Sequence, residues 1–216
     1  DIISSEHKNF VGRIGTIGQR CGNFALQNAD LVLCLGTRNN IRQASYNFEN
    51  FAKNAYKISV DIDKAELDKP TVVPDLKIHA DLSEFLPQLL NNAGKLDNLS
   101  PEWLPFCKKL QDKYSFKNTQ EYQQNGEQIN VYSFVRRVTE LMKENDICVM
   151  ANATATICTF QTAEIKENQR FFSNSGDASM GYDLPAAIGA CLASGKRNTV
   201  CFAGAGLGIQ NLPKLE

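Results

Sequence analysis

The chain has 216 residues, of which 43% are hydrophobic and 22% charged, an ordinary composition for a globular protein of one large or two small domains. A formal charge of −1 without any dense Lys/Arg run argues against nucleic acid or a membrane surface as partner and leaves small molecules or other subunits. Seven cysteines are scattered without a CxxC pair and fall mostly in apolar runs, as expected of small buried hydrophobes in a reducing cytoplasm.

No apolar stretch reaches the roughly 18 residues of a membrane span. The opening residues DIISSEHKNF lack the basic-then-apolar order of a signal peptide, so neither element is expected. In chain order, VGRIGTIG carries Gly12, Gly15 and Gly18 at three-residue spacing ahead of the helix-like CGNFALQNA. As a dinucleotide fingerprint it is weak, because no strong strand precedes it. DLVLCLG is an apolar run of strand length ending at Gly36; in the following TRNNIRQ, Arg38 and Arg42 either meet an anionic ligand or solvate a loop. AYKISVDID reads as a second strand ending in Asp61 and Asp63. An acid there either accepts from ribose hydroxyls or caps the next helix, and the order favours capping for Asp63. Beyond Pro70 and Pro74, LKIHADL is a third short strand in which His79 is structural, and SEFLPQLL is a closing helix capped by Ser83. Strand and helix in alternation imply a parallel sheet with right-handed crossovers.

Residues 91–128 are polar and turn-rich, with one short amphipathic helix opened by Ser100-Pro101 and docking through Trp103, Leu104 and Phe106. They read as a linker between a domain at residues 1–90 and another at residues 129–216. In the second, VYSFVRRVTELMKEN places Val131, Phe134, Val135, Val138, Leu141 and Met142 at helical spacing for one buried face. DICVMA is a strand, and the polar ANATAT is its turn. From Phe171 the sequence reads as a loop, a helix opened by Pro185, a polar turn at residues 195–198, the strand TVCFA and the turn Gly204-Ala205-Gly206. Glycines at a strand end present backbone amides to a ligand in α/β sheets, or simply make a tight turn. The expected class is α/β, with two Rossmann-like units and mainly parallel sheets.

The segment SGDASMGYDLPAAIGA resembles the helix entry of the diphosphate-binding domain in thiamine diphosphate enzymes of the acetolactate synthase family. GTIGQRCGNFALQNADLVLCLGTRNN and VDIDKAEL resemble the central domain of the same family. The resemblance implies a central domain lacking its N-terminal part, so that residue 1 is not the start of a natural gene product, followed by the first half of a diphosphate-binding domain. It also implies cofactor contacts. Asn152 and Thr154 donate to the diphosphate, Met180 props the cofactor into a V shape, the Ala178 carbonyl receives the aminopyrimidine hydrogen bond, and the amides of Gly204, Ala205 and Gly206 meet the diphosphate. Where the family has an acid for Mg2+, this chain has Ala205, which offers a hard cation no side-chain oxygen. The family's later asparagine ligand has no counterpart. Its activating glutamate belongs to an N-terminal domain that nothing here resembles, so neither a catalytic residue nor a metal ligand is assigned.

In some relatives the central domain holds FAD and in others it is bare scaffold. Asn39, Asn40 and Ile41 stand where the family has a phenylalanine and paired acids, which counts against FAD. The implied parent is a cytoplasmic homodimer or homotetramer using thiamine diphosphate and Mg2+. It decarboxylates a 2-oxo acid and passes the two-carbon unit to a carbonyl acceptor, or simply decarboxylates. A noncatalytic nucleotide-binding module carried by the glycine turn, Arg38 and Asp61 is a reading from a different class. The chain alone is expected neither to hold thiamine diphosphate tightly nor to catalyse decarboxylation.

Overall fold

A computed structural model describes residues 3–95 and 100–204. Its strands are β1 (Leu31–Leu35), β2 (Tyr56–Asp61), β3 (Leu76–His79), β4 (Ile147–Met150), β5 (Arg170–Ser173) and β6 (Thr199–Phe202). Its helices are α1 (Arg20–Asn28), α2 (Ile41–Ala44), α3 (Lys64–Asp68), α4 (Leu82–Asn92), α5 (Trp103–Lys113), α6 (Val131–Leu141), α7 (Thr154–Thr162) and α8 (Asp183–Ala193). The strands form two sheets, ordered β1-β2-β3 and β5-β4-β6, and every pairing is parallel. The α/β class with parallel sheets is thus observed. Two compact units result, one of Val11–Ser115 and one of Asp1–Phe10 with Phe116–Glu216. Among the described residues no helix is long and apolar enough to cross a membrane.

In the first unit, Ala44, Phe51, Ala52, Ala55 and Val72 form a core completed by Ile14, Leu26, Val32 and Phe48. Asp63 caps α3, accepting from the Ala65 amide at 2.9 Å, as its place after the strand suggests. The cap of α4 is Asp81 rather than Ser83: its carboxylate accepts from the Ser83 amide at 2.7 Å, which makes Ser83 a first-turn residue. Helix α5 packs on α1 through a different face from the one its aromatic residues suggest. Cys107, Leu110 and Tyr114 lie three and four residues apart, so they share a stripe; Cys107 is buried and Tyr114 stacks on Phe24 at 5.0 Å. Trp103, Leu104 and Phe106 stay largely exposed, and Trp103 stacks on Phe106 instead.

The second unit is built on β4, whose four residues are all buried. Cys148 and Met150 pack with Met142, Ala163, Ile165 and Phe171, while Ile147 and Val149 pack with Ala187 of α8. Side chains alternate across a strand, so an apolar run without polar interruption is one covered on both faces. Burial pushes the Cys148 thiol up to about 12, which leaves it an inert filler. Strand β5 begins at Arg170, where the sequence reads as loop; four residues ending in the polar SNSGD carry too short a pattern to announce a strand. Pro185 is the third residue of α8 rather than the first, and its missing N–H is still harmless because first-turn amides have no partner within the helix. Of the apolar face read on α6, Val135 and the adjoining Met142 are buried, whereas Val131, Phe134 and Leu141 are exposed.

Gly15 has φ of 111°, and a Cβ placed there would stand 2.1 Å from the Arg42 carbonyl oxygen. Gly15→Ala is therefore expected to destabilise the first unit by about 2 kcal/mol or more. Chemical unfolding followed by the fluorescence of Trp103, the single tryptophan, measures it. A second expectation concerns acid. Hydrogen bonds from Lys69 and then Arg38 hold Glu66 below the usual carboxylate range. Asp68 is held low by Lys77, Asp75 by the Lys57 amide and Asp81 by the Ser83 amide. In the second unit Glu140 is held low, by Arg136. A depressed carboxylate contributes stability that is present above its unfolded value, about 3.9–4.3, and lost as pH falls through the folded value. The Trp103-reported transition should accordingly weaken below about pH 4 more than protease resistance of the second unit does.

Candidate functional site

All strands of a parallel sheet end on one edge, and ligands of open α/β sheets dock there, where the strand order reverses. In the second unit that reversal falls at β4: the chain leaves β4 for β5 on one side and returns to β6 on the other. The order β1-β2-β3 contains no reversal among the described strands of the first unit. A cavity of about 630 Å³ opens at the β4 and β6 end, and Asn152, Thr154, Phe202 and Gly204 line it with Val131 and Phe134 of α6. Its size is that of a small-molecule site. Val131 and Phe134, two of the exposed residues of the α6 face, therefore belong to the cavity's apolar wall, which accounts for their departure from the simple buried-face reading.

Three loops leave the edge. After β4, Ala153 adopts φ 57° and ψ −127°, a conformation that costs a non-glycine residue about 1–3 kcal/mol and that turns the chain directly into α7. Thr154 is thus the first residue of α7 and not part of a longer turn. The preceding Ala153 has no side-chain acceptor, so the first-turn amides of α7 remain uncapped beside the cavity. After β5, the loop at residues 174–182 carries Ala178 at φ 55° and Gly181 at φ 82°. The Ala178 amide donates to the Asn174 carbonyl at 3.1 Å, and Asn174 Nδ2 donates to Ser179 Oγ at 3.2 Å. The first loop is tied to the second by Asn152, whose Nδ2 donates to the Ser179 carbonyl at 2.9 Å. Met180, next to that carbonyl, is 71% exposed. After β6, Gly204 lines the cavity, and Ala205 and Gly206 lie outside the described residues.

The structure therefore brings Asn152, Thr154 and Gly204 around one cavity and bonds Asn152 to the loop of Ala178 and Met180. The strain at Ala153 has no signature in ANATAT. Nor did sequence reading single out Asp183, which is fully buried at the start of α8 with neither carboxylate oxygen partnered among the described residues. An acid inside the apolar YDLPAAIGA was the available signal. Among the described residues no group of three His, Cys, Asp or Glu side chains is placed to hold a metal.

Comparison with known proteins gives this geometry a family. Residues 1–89 match the thiamine pyrophosphate enzyme central domain, and residues 152–216 match the C-terminal TPP binding domain. The chain belongs to the thiamine pyrophosphate enzymes. Within them it is similar to acetolactate synthase large subunits. It is 31% identical to the isozyme 1 large subunit of Escherichia coli (strain K12), over 99% of this chain and 37% of that protein. It is 30% identical to the large subunit of Lactococcus lactis subsp. lactis (strain IL1403), over 93% of this chain and 34% of that one. The chain thus spans little more than a third of the length of these relatives.

Burial separates Met150 from Met180 in the second unit. Met150→Ala, at 1% exposure, should cost about 2–5 kcal/mol, whereas Met180→Ala should change stability by no more than about 0.5 kcal/mol. Thermal unfolding of the two variants checks this and shows whether a ligand effect of Met180→Ala is direct.

Proposed function

We propose that this chain is the cofactor-holding part of a thiamine diphosphate enzyme with acetolactate synthase-like chemistry. The whole protein, a cytoplasmic transferase or lyase assembled as a homodimer or homotetramer, decarboxylates a 2-oxo acid such as pyruvate and passes the two-carbon unit to a second carbonyl. Transfer is preferred to simple decarboxylation because the similar proteins are acetolactate synthases. In this reading residues 1–90 are the central domain, 91–128 the connection and 129–216 the diphosphate-binding domain. The observation that carries the proposal is the strand-order reversal at β4, with Asn152, Thr154 and Gly204 around the cavity beside it.

The donor set suits a diphosphate. Uncapped amides at the start of α7 favour an anion, the Thr154 hydroxyl adds a donor, and Gly204 lines the cavity beside them. Asn152 holds the Ser179 carbonyl and so fixes where exposed Met180 and the Ala178 carbonyl meet the cofactor rings. When bound, thiamine diphosphate supplies the carbanion-stabilising chemistry, while the protein binds and orients. The residues do not suit the divalent cation. Ala205 has no side-chain oxygen to give it, and among the described residues no group of three His, Cys, Asp or Glu side chains is placed to hold a metal.

Loss of one charged ligand weakens binding by about 2–3 kcal/mol, or roughly 30- to 150-fold. Calorimetric titration of the purified chain with thiamine diphosphate and magnesium is therefore expected to show no micromolar, magnesium-dependent binding, and pyruvate is expected to persist. Ala205→Asp should raise the magnesium-dependent affinity at least about tenfold. Tight binding or turnover by the unaltered chain would refute the assignment of inactivity, and an Ala205→Asp variant as indifferent as its parent would refute the placement of the cation.

A further inference from the structure

FAD is the other cofactor that the fold suggests, and the first unit is where it would lie. A glycine turn cradles a pyrophosphate by leaving its amides pointing at the ligand. Here four of those amides are already used. Gly15 N–H donates to Asn23 Oδ1 at 2.7 Å, Thr16 N–H to the Arg42 carbonyl at 2.8 Å, Gly18 N–H to the Gly15 carbonyl at 3.0 Å and Gln19 N–H to the Arg13 carbonyl at 2.7 Å. The glycines are also accounted for without a ligand. A Cβ at Gly18 or Gly22 would stand 2.5 or 2.6 Å from the Arg13 carbonyl oxygen, so their small size lets the chain close on itself.

The strand-end crevice of the first sheet is filled in the same way. Arg38 Nη2 and Lys69 Nζ each lie 2.6 Å from Glu66, on its separate oxygens, and Lys69 also bonds the Arg38 carbonyl. Arg38 is 75% exposed, and a pair so exposed is worth too little to exclude a ligand by itself. Space decides instead. The crevice between Arg38, Asn39, Asp61 and Glu66 has about 10 Å³, room for one water beside the buried, unpartnered Asn39 Oδ1. Small-molecule sites run to about 300–1,000 Å³. A second hollow of about 270 Å³, beside Gly15, is bordered by Asn23, Gln43, Asn47 and Asn50 and by no Lys or Arg, so it offers a pyrophosphate no cation.

We propose that the glycine turn and strand-end crevice of the first unit form a closed packing junction that takes no FAD or other adenine dinucleotide. The inference is independent of the thiamine diphosphate assignment, which concerns the other sheet. The test is a thermal-shift and flavin-fluorescence titration of the whole chain with FAD and with ADP up to about 1 mM, where a site of about 10 μM Kd would raise Tm measurably. Neither compound should shift Tm or show saturable binding. In parallel, Asn23→Ala removes both the acceptor for Gly15 N–H and the donor that reaches the Gly15 carbonyl at 2.9 Å, and should lower Tm without creating a response to FAD. Saturable binding of FAD or ADP by the unaltered chain overturns the proposal. So does an Asn23→Ala variant with an unchanged Tm, because the turn would then not be locked by its own bonds. If Asn23→Ala does not fold, the packing account is upheld, and the titration of the unaltered chain decides the ligand question.

Discussion

A parallel strand with every side chain buried requires cover on both faces, and β4 imposes that requirement on the second unit. Its odd and even residues pack into separate clusters, one against the segments around α6 and α7 and one against α8. Helices on both faces require the chain to cross from one side of β4 to the other. That crossing is what splits the loops after β4 and β6 and leaves a crevice between them. The ligand-sized cavity is therefore a consequence of how the core is covered.

The two sheets are both parallel yet present different chemistry at their strand ends. In the first, carboxylates, cations and turn amides satisfy one another: Glu66 meets Arg38 and Lys69, and Asn23 meets Gly15. In the second, α7 starts behind an alanine that cannot cap it, and Met180 projects into solvent. Uncapped amides at a helix start make that edge favourable to an anion. Strain at Ala153 falls on the same edge, where a distorted backbone is most often tolerated.

Much of this was legible in the sequence. Strands of five or six residues between turn signals, such as LVLCL and YKISVD, declared themselves by apolar content and β-branching. So did the placing of Asn152 and Gly204 at strand ends, since a loop after a parallel strand has only one edge to occupy. What escaped was information carried between segments. Four residues of β5 are strand only because β4 pairs with them, and Val131 and Phe134 of α6 are exposed because they face a cavity. Helix α5 hid its docking face because aromatic residues outweigh a cysteine in any reading by hydrophobicity, whereas geometry selects Cys107 and Tyr114. The sense of the glycine turn was likewise undecidable from spacing, because spacing does not say which acceptor each amide has found.

The bond from Asn152 to the Ser179 carbonyl also sets how many parts the edge can move. Two segments leaving different strands are joined by it, so the reordering of one is coupled to the other by about 0.5–1.5 kcal/mol. A molecule that stills one of them inherits the other already stilled, and the ordering cost falls once for the pair.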